Sequence, residues 1–491
     1  MAMNIAMFSW ESLHSVAIGG LAPHASELAA GLARRGHEIH IFTRVGIGQS
    51  PYDFIDGVHY HRCPFETHPD FMTMIDRMND SFVWHFGETE QFLGRPFDIV
   101  HGHDWLSVRS IAQVKNTHHR PAVLTIHSTE YGRCGNSVWE DPLSRRIRDI
   151  EWEGGYLADR VICVSQTLGR EVQDLYSVPS DKCFSIYNGV HPWKFDGEVD
   201  VSRVRKQVGI GLDEPCVLFA GRMTWQKGPD LLLEAVPGVL EQHPRTKILF
   251  AGDGDMREGL EQRAVDIGIS PSTRFLGHRI GNELIGLFKS TDVVCVPSRN
   301  EPFGIVILEA WSARKPVVAT RIGGPEEFVK DDYNGLKVGL KPEEIGLGLN
   351  TLLGDRAGSK AMGLNGRRDA ESSFSWDISA LETEKVYASA LGNSVNGNGS
   401  VRHRLTKETV HMSLDKTKKI EAHETREVVG IVKSKPANTV LAQHEPTEVE
   451  IRKRAYEIYL ARGQTKGDSV ADWVQAEREL RERPRATSSK K

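Results

Sequence analysis

The chain has 491 residues, 39% of them hydrophobic and 26% charged, a composition that excludes collagen-like, disulfide-scaffold and wholly disordered classes. At about 150 residues per domain, this length predicts roughly three domains. Lys and Arg number 61 against 66 Asp and Glu, a formal charge of −5 that argues against a dedicated nucleic-acid binder. The charge is unevenly spread. Residues 393–491 hold 20 basic and 14 acidic side chains, so the tail carries +6 and the preceding body −11. The six cysteines (63, 134, 163, 183, 216 and 295) form no CxxC pair. Cys163, Cys216 and Cys295 sit in apolar strand-like runs and read as buried, reduced thiols. The start MAMNIAMFSW lacks a basic segment ahead of an apolar one, and no uncharged apolar run approaches ~18 residues. Neither secretion nor a membrane span is expected, and a cytoplasmic protein is.

Over the first 390 residues or so, short apolar β-rich runs alternate with helical stretches, the pattern of parallel sheets covered by helices. The expected strands are Asn4–Phe8, Glu38–Thr43, Ile99–His101, Ala122–His127, Arg160–Val164 and Cys183–Tyr187. After a break near 190–210 come Cys216–Ala220, Thr246–Ala251, Thr273–Leu276, Val293–Val296 and Pro316–Ala319. Helical spacing falls between them, as in Pro23–Arg35 and Pro229–Glu241. Two series imply an α/β protein with two doubly wound, Rossmann-like domains. Ligands of such sheets bind beyond the carboxyl ends of the strands. The expected boundaries are 1–195, 196–372, a return helix at 373–392, a flexible linker at 393–447 and a small helical module at 448–483. The linker is Asn/Gly/Ser-rich at its start and contains no aromatic residue, so it has too little apolar surface to offset the entropy of ordering. The module spaces apolar residues at 449, 451, 455, 458 and 459 with helical period. With Trp473 on a second helix it reads as a hairpin that binds a protein partner or self-associates.

Two clusters after predicted strands carry chemistry. In the first, Gly221-Arg222-Met-Thr-Trp-Gln-Lys227-Gly228-Pro229, glycines flank two cations. The guanidinium fork and the ammonium point charge together suit a diphosphate, although a solvated turn has the same composition. In the second, Glu301-Pro-Phe303-Gly304-Ile305 opens an apolar helix whose second turn carries Glu309. A helix N-terminus offers unpaired N–H groups and a positive dipole end. Glu309, among Ile305–Leu308 and Ala310, is a carboxylate in apolar surroundings that needs a hydrogen-bond partner. Vicinal ribose hydroxyls would supply one; the plainer reading makes it a helix-surface acid.

Glu301 and Glu309 stand in EPFGIVILE, downstream of GRMTWQKG, and GGLAPHASELAAGLARRGHEIHIFT, HGHDW, TIHS, CVS and YNGV precede both. In this order the motifs resemble the nucleotide-sugar-dependent retaining glycosyltransferases of family 4, with the GT-B fold, through about four-fifths of the chain. FSWE and HGHDW also resemble glycogen synthases, and the stretch from FSWD resembles the helix that returns to the N-terminal domain. The resemblance implies that Gly19 and Gly20 approach the donor phosphates, Arg222 and Lys227 bind the diphosphate, and Glu309 binds ribose. Phe303, Gly304 and Ile305 then supply the helix N-terminus beside the phosphates. It further implies that Glu301 and His127 stand beside the transferred sugar, and that Asp104 is a cleft residue. Read alone, Asp104 is a helix N-cap and a strand-end histidine such as His127 is structural. Ala17 departs from the bacterial glycogen synthases, which carry lysine there.

The implied reaction moves a hexose from a nucleotide diphosphate sugar to an acceptor hydroxyl, a glucan among the acceptors, with retention of configuration. Glucosyl donors come first, then mannosyl and N-acetylglucosaminyl ones. Asp253-Gly-Asp255 has the form of a metal-binding DxD pair but reads as a Gly-rich turn. His101/His103 and His118/His119 lack matching carboxylates or cysteines, so no metal and no cofactor beyond the donor is expected. Two other readings stay open: a nucleotide-sugar epimerase of the same fold, and a non-catalytic sugar-binding scaffold, against which the retention of Arg222, Lys227, Glu301 and Glu309 argues.

Overall fold

A computed structural model describes residues 2–137 and 141–392, together with Arg478 and Glu479. The expected linker at 393–447 lies outside the described residues, as does the helical module at 448–483 apart from those two positions. The described residues hold an eight-stranded and a six-stranded sheet. The first comprises β1 (Asn4–Phe8), β2 (Glu38–Arg44), β3 (Tyr52–Ile55), β4 (Val58–Cys63), β5 (Ile99–His103), β6 (Ala122–Ile126), β7 (Arg160–Cys163) and β8 (Cys183–Ser185), in the order β3-β4-β2-β1-β5-β6-β7-β8. The second comprises β9 (Cys216–Ala220), β10 (Lys247–Ala251), β11 (Thr273–Gly277), β12 (Val293–Val296), β13 (Val317–Thr320) and β14 (Gly335–Val338), in the order β11-β10-β9-β12-β13-β14. Every pairing is parallel except β3 with β4.

Both faces of the central strands are covered. All five residues of β1, β5 and β6 are buried, which is why β1 and β6 read as largely apolar runs rather than alternating ones, while β5 buries two histidines. The chain order reverses between β1 and β5 in one sheet and between β9 and β12 in the other, so the ligand-binding crevice of each lies at those strands' carboxyl ends. The predicted strands are present with ends shifted by up to two residues. Three were not predicted: β3, β4 and β14.

The return helix spans Trp376–Ala390, and Ser375 Oγ accepts the Ile378 N–H at 3.2 Å as its N-cap. Trp376, Ala380, Val386 and Tyr387 pack into the same core as Ile5, Leu28 and Leu32. Tyr387 Oη lies 2.7 Å from His101 Nδ1, and His101 Nε2 lies 2.7 Å from Thr125 Oγ1, so this buried histidine ties the helix to β5 and β6. The two sheets also meet directly. Glu327 Oε1 accepts the Thr167 N–H at 2.6 Å, and its Oε2 accepts Tyr187 Oη at 2.8 Å. Asn300 Nδ2 donates to Asn136 Oδ1 at 2.8 Å. All six cysteines are free; five are buried and Cys183 is half-buried. No helix among the described residues is long and apolar enough to cross a membrane.

Trp376 is only 2% exposed. Its replacement by Ala should therefore cost about 3–5 kcal/mol, the range for emptying a large aromatic site in a core. Urea unfolding with matched m-values checks this; a loss below about 1 kcal/mol would mean that the return helix contributes little to the fold.

Candidate active site

A cavity of about 910 Å³ opens at the carboxyl ends of the central strands, and all eleven site residues expected from the sequence line it. Gly19, Gly20, Asp104 and His127 come from the first sheet's side. Arg222, Lys227, Glu301, Phe303, Gly304, Ile305 and Glu309 come from the second's.

On the second side, Arg222 follows β9 and is exposed, and its guanidinium has no hydrogen-bond or ion-pair partner among the described residues. Lys227 Nζ lies 2.9 Å from both carboxylate oxygens of Glu301, which also accepts Ser298 Oγ at 2.9 Å. Glu301 is buried, and these partners are what a buried carboxylate requires. Two glycines permit the arrangement. Gly228 (φ 65°) and Gly323 (φ 67°) occupy the left-handed region, where a Cβ would overlap the carbonyl oxygens of Pro297 and Glu301 respectively. The helix Ile305–Ser312 starts at Gly304 (φ 98°) without a side-chain cap, and Gly304, Ile305 and Val306 line the cavity, so a helix N-terminus stands at the site. The Glu309 carboxylate has no side-chain partner among the described residues, and burial pushes its pKa up to about 7.

On the first side, Gly20 has ordinary helical angles (φ −68°, ψ −14°), and a Cβ there would make only a normal contact, 3.5 Å from Ile305 Cδ1. A Cβ on Gly19 would meet nothing within 4 Å. Backbone strain therefore does not account for this glycine pair; what it leaves is open cleft.

Asp104 corrects its capping expectation. It precedes Trp105 at φ 58° and caps no N–H of the short helical turn Trp105–Ser107. Instead its Oδ1 accepts the His127 N–H at 2.7 Å, and burial raises its pKa to about 6 against the pull of Arg133. An aspartate at positive φ is costly and marks a position fixed by its surroundings. His127 Nε2 lies 3.3 Å from His103 Nδ1, and burial lowers the His127 pKa to about 3, so the ring is neutral.

Sequence reasoning missed three contributors. Glu11 Oε2 accepts the N–H groups of Ile18 at 3.0 Å and Gly19 at 2.9 Å, so a buried carboxylate shapes the glycine loop. FSWE drew attention only as part of a resemblance, because the partner N–H groups lie seven and eight residues away in a loop. Ser298 orients Glu301. His24, on the helix Leu21–Arg34, meets His127 edge-on with ring centroids 4.4 Å apart; its place in an amphipathic helix gave no signal.

Asp253 is occupied internally. Its carboxylate binds Arg257 at 3.1 Å and the Gly254 N–H at 2.9 Å. Gly252 (φ 146°) and Gly254 (φ 156°) press against the backbone of Gly221 and Met223, as a tight Gly-rich turn does.

Two sheets of this topology facing a cleft with these residues define a GT-B glycosyltransferase. Residues 18–194 match the family described as "Glycosyltransferase Family 4" and residues 200–369 the family described as "Glycosyl transferases group 1". Residues 446–482 match "Protein of unknown function (DUF2934)". The chain is 39% identical over 397 residues, 79% of its length and 99% of the relative's, to an uncharacterized glycosyltransferase (MJ1607) of Methanocaldococcus jannaschii. It is 30% identical over 410 residues, 79% and 95% of the two chains, to a glycogen synthase of Mycobacterium tuberculosis. It is also 30% identical over 390 residues, 76% and 90% of the two chains, to a D-inositol 3-phosphate glycosyltransferase of Saccharomonospora viridis. Among solved structures, sucrose-phosphate synthase from Thermosynechococcus elongatus superposes with a TM-score of 0.68 at 23% identity, covering 80% of this chain and all of that one. Anabaena Alr3699/HepE in complex with UDP-glucose superposes with a TM-score of 0.64 at 20% identity, covering 79% of this chain and all of that one. The chain belongs to the family 4 and group 1 glycosyltransferases: it is a transferase enzyme that uses nucleotide-sugar donors.

Removing the Glu11 acceptor leaves two backbone N–H groups at the cleft to be satisfied otherwise. Hydrogen bonds to a charged group contribute about 1.5–3 kcal/mol each. Glu11→Ala should therefore lower kcat/KM for the nucleotide sugar at least ~10-fold, equivalent to about 1.4 kcal/mol. Nucleotide diphosphate release measures it; unchanged kinetics would show that the loop keeps its shape without Glu11.

Proposed function

We propose that the enzyme transfers a hexose, glucose in the first instance, from a nucleotide diphosphate sugar to an acceptor hydroxyl, with retention of anomeric configuration. The observation that carries the reading is the meeting of Arg222, Lys227, Glu309 and the open N-terminus of Ile305–Ser312 in one cavity. Their charges suit a diphosphate and a ribose diol. As the sugar–phosphate bond breaks, negative charge grows on the β-phosphate. Arg222, Lys227 and the helix N–H groups stabilise it best in a water-poor cleft, where fixed donors need no reorganisation. The departing phosphate oxygen takes the acceptor proton on the same face, while Glu301 and His127 position the sugar. In this reading Asp104 holds the His127 backbone, and Gly19 and Gly20 leave room for the phosphates.

The acceptor favoured is neutral, a glucan first. Two of the three relatives divide on this point, one being a glycogen synthase and the other a D-inositol 3-phosphate glycosyltransferase. Among the described residues, the only Arg or Lys that the first sheet's side contributes to the cavity lining is Arg133. Its guanidinium is already committed to Glu130, Glu151 and Ser128. The same wall presents Trp10 and Trp105, aromatic surface suited to the apolar face of a sugar ring. This supports a sugar hydroxyl over a phosphorylated acceptor. A panel of UDP-, ADP- and GDP-sugars, scored for nucleotide diphosphate release with and without malto-oligosaccharides, tests both assignments; release only with a phosphorylated or lipid acceptor would overturn the glucan reading.

Arg222 lacks a partner, so Arg222→Ala should leave the melting temperature unchanged while kcat/KM falls at least ~10²-fold, about 2.7 kcal/mol. Activity should also survive excess chelator, because cations stand at the phosphate site and Asp253 is engaged by Arg257. Wild-type kinetics in Arg222→Ala, or a chelator loss that Mg²⁺ or Mn²⁺ restores, would contradict the phosphate assignment.

Glu309 generates a pH signature. Its folded pKa is raised to about 7, so below that value it is protonated and offers a ribose diol a poorer acceptor. Donor kcat/KM should rise with pH through about 7, reporting the free enzyme. Glu309→Gln should remove that limb and leave a lower one from Asp104 near 6. A limb near 7 that persists in Glu309→Gln belongs to another group.

A further inference from the structure

We propose that His24, His103 and His127 form a binding site for a zinc-class divalent ion beneath the sugar position, an ion that the transfer reaction itself does not require. One ring nitrogen of each residue lies within 4.8 Å of the other two. His103 Nδ1 and His127 Nε2 are 3.3 Å apart, which is the separation of two imidazole nitrogens held at about 2.0–2.1 Å by one tetrahedral ion. The third ligand is already oriented. His24 Nδ1 lies 2.7 Å from Asn188 Oδ1. An amide oxygen only accepts, so the proton is on Nδ1 and the Nε2 lone pair is free. His24 Nε2 is buried with no hydrogen-bond partner, and an orphaned buried nitrogen in a native core calls for a ligand.

The rings stand on three rigid elements: the helix Leu21–Arg34, the end of β5 and the residue after β6. Burial keeps all three neutral, the form that binds metal. His101 is excluded because Tyr387 and Thr125 occupy its two nitrogens. Three histidines leave the fourth tetrahedral position open, and His127 lines the cavity, so that position is reached from the donor cleft. A bound ion would hold His127 away from the transferred sugar and inhibit the enzyme. That consequence, unlike the binding, rests on the role proposed above for His127.

The test uses the full chain, with Co²⁺ as the spectroscopic probe and Zn²⁺ as the inhibitor. Wild type should take up one Co²⁺ with the strong visible absorption of a tetrahedral site, and Zn²⁺ should displace it. His24→Phe should weaken that binding at least ~10-fold, as should His103→Asn, which serves if the first variant fails to fold. The Glu38/His40/His59 group is the other described cluster with metal-like spacing, so His59→Asn is the control and should leave the signal intact. A wild-type protein without tetrahedral absorption overturns the proposal, as does a signal that survives in both cleft variants or disappears in His59→Asn. Zn²⁺ should inhibit wild-type turnover, and chelator should reverse it. Tetrahedral binding without inhibition would uphold the site and remove His127 from the sugar contact.

Discussion

The ion pair between Lys227 and Glu301 governs the cleft. Glu301 is 5% exposed, and a carboxylate so placed is tolerable only when charge and hydrogen bonds meet it. Lys227 from the loop after β9 and Ser298 from the loop after β12 do so, which ties two strand ends together. The Gly324 N–H donates to the Glu301 carbonyl at 2.9 Å, and Gly323 lets that backbone approach, so the loop after β13 joins them. The pair also sets the field. Among the described residues lining the cavity, Arg133, Lys227 and Arg279 each face a carboxylate, and Arg222 alone does not. In the proposed reaction a diphosphate would meet Arg222 first and then compete with Glu301 for Lys227, freeing the carboxylate toward the sugar.

How much of this is legible in the sequence follows from where the information sits. The central strands are covered on both faces, so most of their length is apolar and their boundaries read to within two residues. β3 (Tyr-Asp-Phe-Ile) and β4 (Val-His-Tyr-His-Arg-Cys) mix apolar with charged or histidine side chains. β3 is the edge strand of its sheet, with no neighbour on one side, and β4 lies next to it as the last parallel strand, paired to β2 and antiparallel to β3. β14 is four residues starting at glycine and containing a lysine, too short for periodicity to register. The helix Phe71–Leu93 is one of the longest described elements, yet its polar and aromatic residues alternate without a clean stripe.

Arg222, Lys227, Glu301 and Glu309 are legible because each follows a strand and carries a charge suited to a phosphate or a sugar. Asp104 lines the cavity as the resemblance implies, and the capping role that its sequence alone suggests is not the bond it makes. Its side chain turns to the His127 backbone rather than to its own helical turn, and only the tertiary position of β6 beside β5 decides between those partners. Glu11 shapes a loop through backbone N–H groups, which have no sequence identity. The histidine cluster joins positions 24, 103 and 127, which no local window can bring together.

Unpartnered polar groups separate this cleft from its imitations. Most buried polar atoms in folded proteins find partners, and leaving one unmet costs about 1–3 kcal/mol. Here Nε2 of His24 is buried without a partner against the cavity, while the exposed guanidinium of Arg222 and the carboxylate of Glu309 meet no side-chain partner and line it. The Asp253-Gly-Asp255 turn has the more suggestive sequence but the opposite chemistry, with Asp253 satisfied by Arg257 and Gly254 and the glycines used for close packing. The charges of Arg222 and Glu309 that no side chain meets, both at the ends of strands lining one cavity, argue more than any single motif that this cleft is where the chain meets a ligand.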